Sequence, residues 1–340
     1  MRRVLNLILF VCLAFSGSKA QDVHWSQPAG TLLFQNPAFT GLSNKFSASV
    51  NYRNQWSALN TSYRSYLFSG DYRFGQKDDK KADFAAGFLF YQDAAGDGKM
   101  RTTNGGVTIS SIVKMSKAFK LSVGMGFNAV QKSLRLNNYS WGTQYDGTGY
   151  NSSLDSRESK NYNSAVFADL NAGMALSFNK GGGSFVSTSK TKFIIGYSIS
   201  HYNKPNQSVV GSNESLDMKH TVYAQGTFSV KDNVSVKPLL FFYYQSAMME
   251  ATAGCLLRYG LGQQSKITGI KKGSAFSFGF LYRYKDALVP TVELEKGTLL
   301  FGISYDMNIS SLTPASKVRG GLELSIRLIN FEDYLYKGRR

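Results

Sequence analysis

Arg64-Ser65-Tyr66-Leu67-Phe68-Ser69-Gly70-Asp71-Tyr72-Arg73-Phe74 is the stretch on which the fold turns. Tyr66, Phe68, Gly70, Tyr72 and Phe74 hold alternate positions, with Ser65, Ser69, Asp71 and Arg73 between them and Leu67 as the exception. Successive side chains of a strand point to opposite faces, so this is a two-faced strand, aromatic on one side and polar on the other. The period returns at Phe46, Ala48, Val50, Tyr52 against Ser47, Ser49, Asn51, Arg53, and at Phe276, Phe278, Phe280, Tyr282, Tyr284 against Ser277, Gly279, Arg283. It returns again with Ala168, Leu170, Ala172, Met174, Leu176 and Phe178 on one face. Each run spans roughly ten residues or more, the length a tilted strand needs to cross a membrane, whereas strands of a soluble sandwich are usually shorter.

Working outward, segments of this kind are expected near residues 46–56, 62–75, 83–92, 105–116, 119–133, 164–179, 192–202, 219–231, 234–246, 248–260, 273–284, 287–296, 298–308 and 319–329. An even number of about 14 strands predicts an all-β fold, a closed antiparallel transmembrane barrel occupying residues 46–330, with both ends on one side of the membrane. The turns Lys231-Asp232-Asn233, Ser246-Ala247, Lys285-Asp286 and Lys296-Gly297 are tight, while residues 134–163 and 203–218 make long polar loops. Short turns at one rim and long loops at the other suit such a barrel. Asp97-Gly98 and Asn104-Gly105 supply residues that tolerate positive φ, and are read as turns.

Composition agrees. Of 340 residues 43% are apolar, 14% aromatic and 18% charged, with 33 Gly and 6 Pro. A mean hydropathy of −0.22 excludes a bundle of apolar membrane helices, and the unperiodic Gly content excludes collagen.

Arg2 and Arg3, the apolar run from Val4 to Phe15 and the small residues ending at Ala20 form the layout of a signal peptide over residues 1–20, cleaved after Ala20. Twelve apolar residues at ~1.5 Å each do not cross a ~30 Å hydrocarbon core. Loss of Arg2, Arg3 and Lys19 takes the formal charge from +17 to +14, and Cys255 becomes the single cysteine, so no intrachain disulfide forms. A basic exported chain favours outer-membrane lipid or an acidic protein partner over nucleic acid.

Chemistry-bearing patterns are sparse. His24, His201 and His220 sit in no HExxH or zinc spacing, and neither a GxSxG elbow nor a GxxxxGK[ST] loop occurs. No catalytic set, cofactor or metal is expected. His220 with nearby serines is the one place a lipid-modifying activity would sit, against the simpler reading of a lumen or rim histidine. Asp93 and Asp97 lack the alternating oxygen ligands of a calcium loop.

Several segments resemble the PorP/SprF family of type IX secretion system membrane proteins. Asn36-Pro37-Ala38-Phe39-Thr40-Gly41 precedes Asn51-Tyr52-Arg53-Asn54-Gln55-Trp56. Toward the C-terminus Tyr282-Arg283-Tyr284-Lys285-Asp286-Ala287 leads to Tyr305-Asp306-Met307-Asn308, then Gly320-Gly321-Leu322-Glu323-Leu324-Ser325. Two stretches depart from the family pattern. Asp22-Val23-His24-Trp25-Ser26-Gln27-Pro28 stands where the family opens Asp-Pro-x-Phe-Ser-Gln, and a basic tail, residues 331–340, follows the last strand.

The resemblance implies a non-catalytic outer-membrane component of a Bacteroidota type IX secretion system. It would dock or scaffold the machinery and a cognate secreted protein with a C-terminal sorting domain, or a gliding adhesin. Implied partners are other secretion components, a periplasmic ring or a peptidoglycan-linked lipoprotein. The motif positions Asn36, Pro37, Arg53, Trp56, Arg283, Asp286, Tyr305, Asp306 and Asn308 are those expected to carry structural or partner-contact roles. Asn36-Pro37 reads as a turn guiding the chain into the wall, or as part of a periplasmic or plug-like segment over residues 21–45. Trp56 reads as an interface anchor and Arg53 as a lumen-facing charge, with recognition the alternative for both. The competing function is a channel or transporter for a small hydrophobic or polar solute.

Overall fold

The computed structural model describes residues 23–56, 63–75, 81–96, 100–134, 140–157, 164–180, 191–209, 211–231, 233–261, 274–310 and 319–329. The expected signal peptide, the basic tail and the Asp97-Gly98 turn lie outside these residues.

Fourteen antiparallel strands close into a barrel. They are β1 (Phe46–Gln55), β2 (Tyr63–Phe74), β3 (Ala82–Ala95), β4 (Met100–Lys114), β5 (Phe119–Ser133), β6 (Ala165–Lys180), β7 (Thr191–Ser200), β8 (Lys219–Lys231), β9 (Val234–Gln245), β10 (Met248–Gly260), β11 (Ser274–Arg283), β12 (Ala287–Lys296), β13 (Leu299–Asn308) and β14 (Arg319–Ile329). Each pairs with its sequence neighbours, and β1 completes the ring on β14, from Ser47 opposite Ile329 to Gln55 opposite Gly321. Closure removes the sheet edge, so wall N–H and C=O groups find partners without water. The β12–β13 register is unbroken, but its pairing is interrupted between Leu288 opposite Met307 and Thr291 opposite Ser304, across Pro290, whose nitrogen has no hydrogen to donate.

The alternation read from the sequence sorts the two faces. Phe84, Phe88, Ile109, Val123, Met125, Phe127, Phe278 and Phe280 point outward and are exposed, while Asp71, Asn104, Thr108, Asn128, Thr291 and Glu293 point inward and are buried. Apolar outside and polar inside is the inverse of a water-soluble fold, and gives the outer belt to hydrocarbon.

β1 ends at one rim, called here the loop rim, and β14 ends at the other, the tail rim. The long connections 134–164 and 201–218 lie at the loop rim, as do the tight turns at Ser246-Ala247 and Lys285-Asp286. This corrects the expected division of short and long connections between the rims. A second correction concerns Asn104-Gly105, which lies inside β4, paired to Tyr91 and Phe90 of β3 and to Val130 and Ala129 of β5.

Residues 23–45 run through the lumen from the loop rim to the start of β1. They fold as three short turns, Pro28–Gly30, Leu32–Gln35 and Pro37–Phe39. Proline opens two of these turns, where its fixed φ suits a helical start and its missing N–H costs nothing. Asn36 is forced into extended backbone by the following Pro37, and its Oδ1 caps the last turn by accepting from the Ala38 N–H at 2.8 Å. Ala29, Ala38, Phe39 and Leu42 build an apolar core with inward residues of the wall, among them Ile112, Tyr223, Leu239, Phe241, Leu256 and Leu281. Phe39 meets Tyr223 edge-on at 5.4 Å and Phe34 meets Tyr91 edge-on at 5.2 Å. Leu67, the exception in its strand, faces inward and is fully buried.

Candidate functional site

Charged side chains of the last strands converge inside the barrel near the loop rim. Arg53 on β1 lies 2.8 Å from Asp306 on β13 and 3.4 Å from Glu323 on β14. Arg283, at the end of β11, reaches the same Asp306 at 3.1 Å, Asp286 at 2.9 Å and Glu250 of β10 at 3.5 Å. Four motif positions, Arg53, Arg283, Asp286 and Asp306, therefore form one network. Asp306 is its hub and sits beside a register shift between β13 and β14.

The luminal segment closes this network. Ser26 and Gln27 direct their backbone N–H groups at the Glu323 carboxylate, at 2.6 and 3.2 Å. The Gln27 amide donates to Ser304 and to the Glu323 carbonyl, and accepts from the Ser325 hydroxyl at 2.7 Å. Ser26 Oγ donates to Asp306 and accepts from Arg53 and from Arg283. A serine whose proton and lone pairs are all engaged is a structural link and not a nucleophile. His24 Nε2 lies 2.9 Å from an Arg53 nitrogen, which can only donate, so the ring nitrogen is the acceptor. Burial, then the neighbouring Arg53 and Arg283, hold the His24 pKa well below the usual histidine value, with Asp306 opposing.

Further down the lumen Asn36 lies flat on the wall. Its amide donates to the Met174 carbonyl of β6 at 3.2 Å and the Tyr197 carbonyl of β7 at 3.1 Å. This approach needs glycine: a Cβ on Gly173 would overlap Asn36 Oδ1, and one on Gly196 would lie 2.7 Å from the Phe39 ring. Pro37 packs in the same way against Gly124 of β5. Below it, Ser110 donates to the Thr40 carbonyl at 2.7 Å, and the Gly41 N–H reaches Asp71 at 2.7 Å.

The remaining motif positions lie elsewhere. Trp56, just past the end of β1, has φ 57°, donates its backbone N–H to the Gly320 carbonyl at 2.6 Å and meets Tyr63 edge-on at 4.9 Å. Tyr305 points outward into the belt, and Asn308 is buried beside Gly320. His220 is on the outer face, with the Tyr197 hydroxyl 2.8 Å from its Nδ1, and not in the lumen. His201 pairs with Asp169 at 2.9 Å at the loop rim. Among the described residues no group of three or more His, Cys, Asp or Glu is placed to hold a metal ion. Sequence reading left His24, Ser26, Gln27, Glu250 and Glu323 out of the candidate set, although all five belong to the network.

No curated protein matches the chain. Among solved structures, the toluene transporter TbuX of Ralstonia pickettii is similar with a TM-score of 0.45 and 11% identity, over 88% of this chain and 92% of that one. BamA from Haemophilus ducreyi lacking POTRA domains 1–3 gives 0.44 and 8%, over 84% and 70%. The NanC porin gives 0.36 and 9%, over 84% and 98%. The family described as type IX secretion system membrane protein PorP/SprF matches residues 17–328, nearly the whole length. The chain, a closed fourteen-stranded barrel with an apolar outer belt, thus belongs to the PorP/SprF family, outer-membrane components of the type IX secretion system.

Proposed function

We propose that the protein is a non-catalytic docking or scaffolding subunit of the type IX machinery, holding a cognate secreted protein or gliding adhesin at the outer membrane. The observation that carries this reading is the filled lumen: residues 24–42 occupy it with buried turns bonded to the wall at both rims. A barrel closed in this way offers surfaces rather than a path. Its contacts would come from the rims and loops, to a periplasmic ring component or peptidoglycan-linked lipoprotein on one side and to a client with a C-terminal sorting domain. Removal of residues 1–20 after Ala20 in a Bacteroidota host completes the reading.

Affinity capture of the tagged full chain from detergent-extracted outer membranes, with identification of co-eluting chains, tests it. Recovery of type IX components or a sorting-domain protein, lost at high salt, is the expected result. A barrel that elutes alone under several detergents and cross-linkers would contradict it. The alternative, a solute channel, requires the luminal residues to leave.

A further inference from the structure

The two ends of the barrel differ in charge. Among the described residues the tail-rim half carries thirteen Lys and Arg against four acids, Asp71, Asp83, Glu293 and Glu295, while the loop-rim half carries ten of each. Part of this excess faces inward and surrounds a cavity of about 180 Å³ beneath the luminal segment. That volume accommodates roughly a dozen water-sized groups at about 15 Å³ each. Leu32, Leu33 and Phe39 of the luminal segment supply apolar lining, and Lys192 of β7, Lys237 of β9 and Arg327 of β14 supply cations.

Among the described residues the lining has one acid, Asp71, and it is turned to the luminal segment: its carboxylate accepts from the Gly41 N–H at 2.7 Å and from the Ser47 hydroxyl. Glu293 bonds both Lys237 and Arg327 and lines a smaller cavity with Gln27, Pro28 and Lys237 itself, and Glu295 stands 3.8 Å from Lys237, so an incoming anion shares these two cations with wall carboxylates. The Thr227 hydroxyl and the Ser49–Ser69 hydroxyl pair, bonded to each other at 2.7 Å, add hydrogen-bonding groups. Cations and hydroxyls beside an apolar lining match an anion attached to an apolar group.

We propose that this cavity is a binding site for carboxylate side chains of an acidic polypeptide segment entering from the tail rim. A lipid headgroup fits less well, because the cations stand on inward strand positions with the wall between them and the bilayer. The surplus positive charge of the described tail-rim residues would steer such a segment toward the cavity. This site deepens the docking reading and takes its biological sense from it. Its test reads binding on isolated protein, so the two fail separately.

The full chain, purified in an uncharged detergent, is titrated against a fluorescein-labelled hexapeptide of alternating glutamate and leucine, followed by anisotropy at low salt. Saturable binding is expected, at least tenfold weaker for the glutamine–leucine counterpart and weakening steadily with salt. Lys192→Gln should weaken it about five- to tenfold. Ser49→Trp, which fills the cavity without removing a charge, should abolish it. Lys132→Gln at the loop rim should leave it within twofold. Heat-modifiable mobility confirms that each variant is folded. The proposal falls if the two peptides bind alike, or if neither cavity variant changes binding. Displacement by millimolar inorganic phosphate, or loss of binding in nanodiscs containing phosphatidylglycerol, would reassign the site to phosphate or lipid and also overturn it.

Discussion

Arg53 and Asp306 meet at 2.8 Å across β14, joining the first strand of the barrel to the second-last one over the strand that closes the ring. Glu323, directly opposite Arg53 in the β1–β14 register, adds a second carboxylate, and both groups are shielded from solvent. Removing one partner of a buried pair leaves a charge that burial penalises, at a cost of about 3–5 kcal/mol. Arg53→Met should therefore lower the urea midpoint in micelles and weaken the heat-resistant folded band on gels. The double variant Arg53→Met with Asp306→Leu should recover part of the loss, since Arg283 keeps Glu250 and Asp286. Equal losses in the single and double variants would show that the pair does not act as a unit.

The glycine patch makes a separate prediction. Gly173→Ala places a methyl group where Asn36 Oδ1 sits, and the resulting overpacking should cost about 1–3 kcal/mol and lift the luminal segment from β6 and β7. Maleimide labelling of Ala38→Cys, with Cys255 replaced by serine, should be slow on the original wall and at least tenfold faster with Gly173→Ala. Gly105→Ala, where an added Cβ meets nothing within 4 Å, should leave labelling unchanged.

His24 gives the network a pH dependence. Its folded pKa is depressed by burial and by Arg53 and Arg283, so the unfolded chain takes up a proton first as pH falls. Stability supplied by neutral His24 is present above about pH 6.5 and declines below it, by up to about 1.4 kcal/mol per pH unit, until the folded value is reached. Urea midpoints measured at pH 7.5 and pH 5.5 should differ less in His24→Gln than in the original chain.

The outer belt is tested by Phe278→Arg. Phe278 lies mid-strand on β11, points outward and is opposite Leu257 and Val292 on its neighbours. An arginine at mid-membrane depth costs about 2–4 kcal/mol, falling toward zero at the interfaces. Folding yield into lipid vesicles should drop for Phe278→Arg and remain near the original for Tyr284→Arg, just beyond the end of the same strand.

Strand positions were legible because hydrocarbon outside and polar groups inside impose period two over long runs. The start of β4 was less so: Asn104-Gly105 carries turn chemistry, but pairing to β3 and β5 on both sides overrides that local preference. A clue to the filled lumen lay in Leu239-Leu240-Phe241-Phe242-Tyr243-Tyr244, a run without alternation, which indicates a strand buried on both faces. Leu239, Phe241 and Tyr243 are indeed the inward, buried members of that run. The network was harder to foresee. Ser26 and Glu323 are 297 positions apart, beyond any spacing rule, and the sequence of β14 offers only a lone acid at Glu323 as a signal. Within the departing stretch from Asp22 to Pro28 three residues keep the family pattern, Asp22, Ser26 and Gln27; the last two are bonded to Glu323, and Asp22 lies outside the described residues.

Planar-bilayer recording tests the central claim most directly. The full chain should insert without steady conductance, and a variant lacking residues 24–42 should open channels of uniform size, because the wall stays closed while its filling is gone. Steady channels from the full chain, with no increase on that deletion, would contradict a sealed docking barrel.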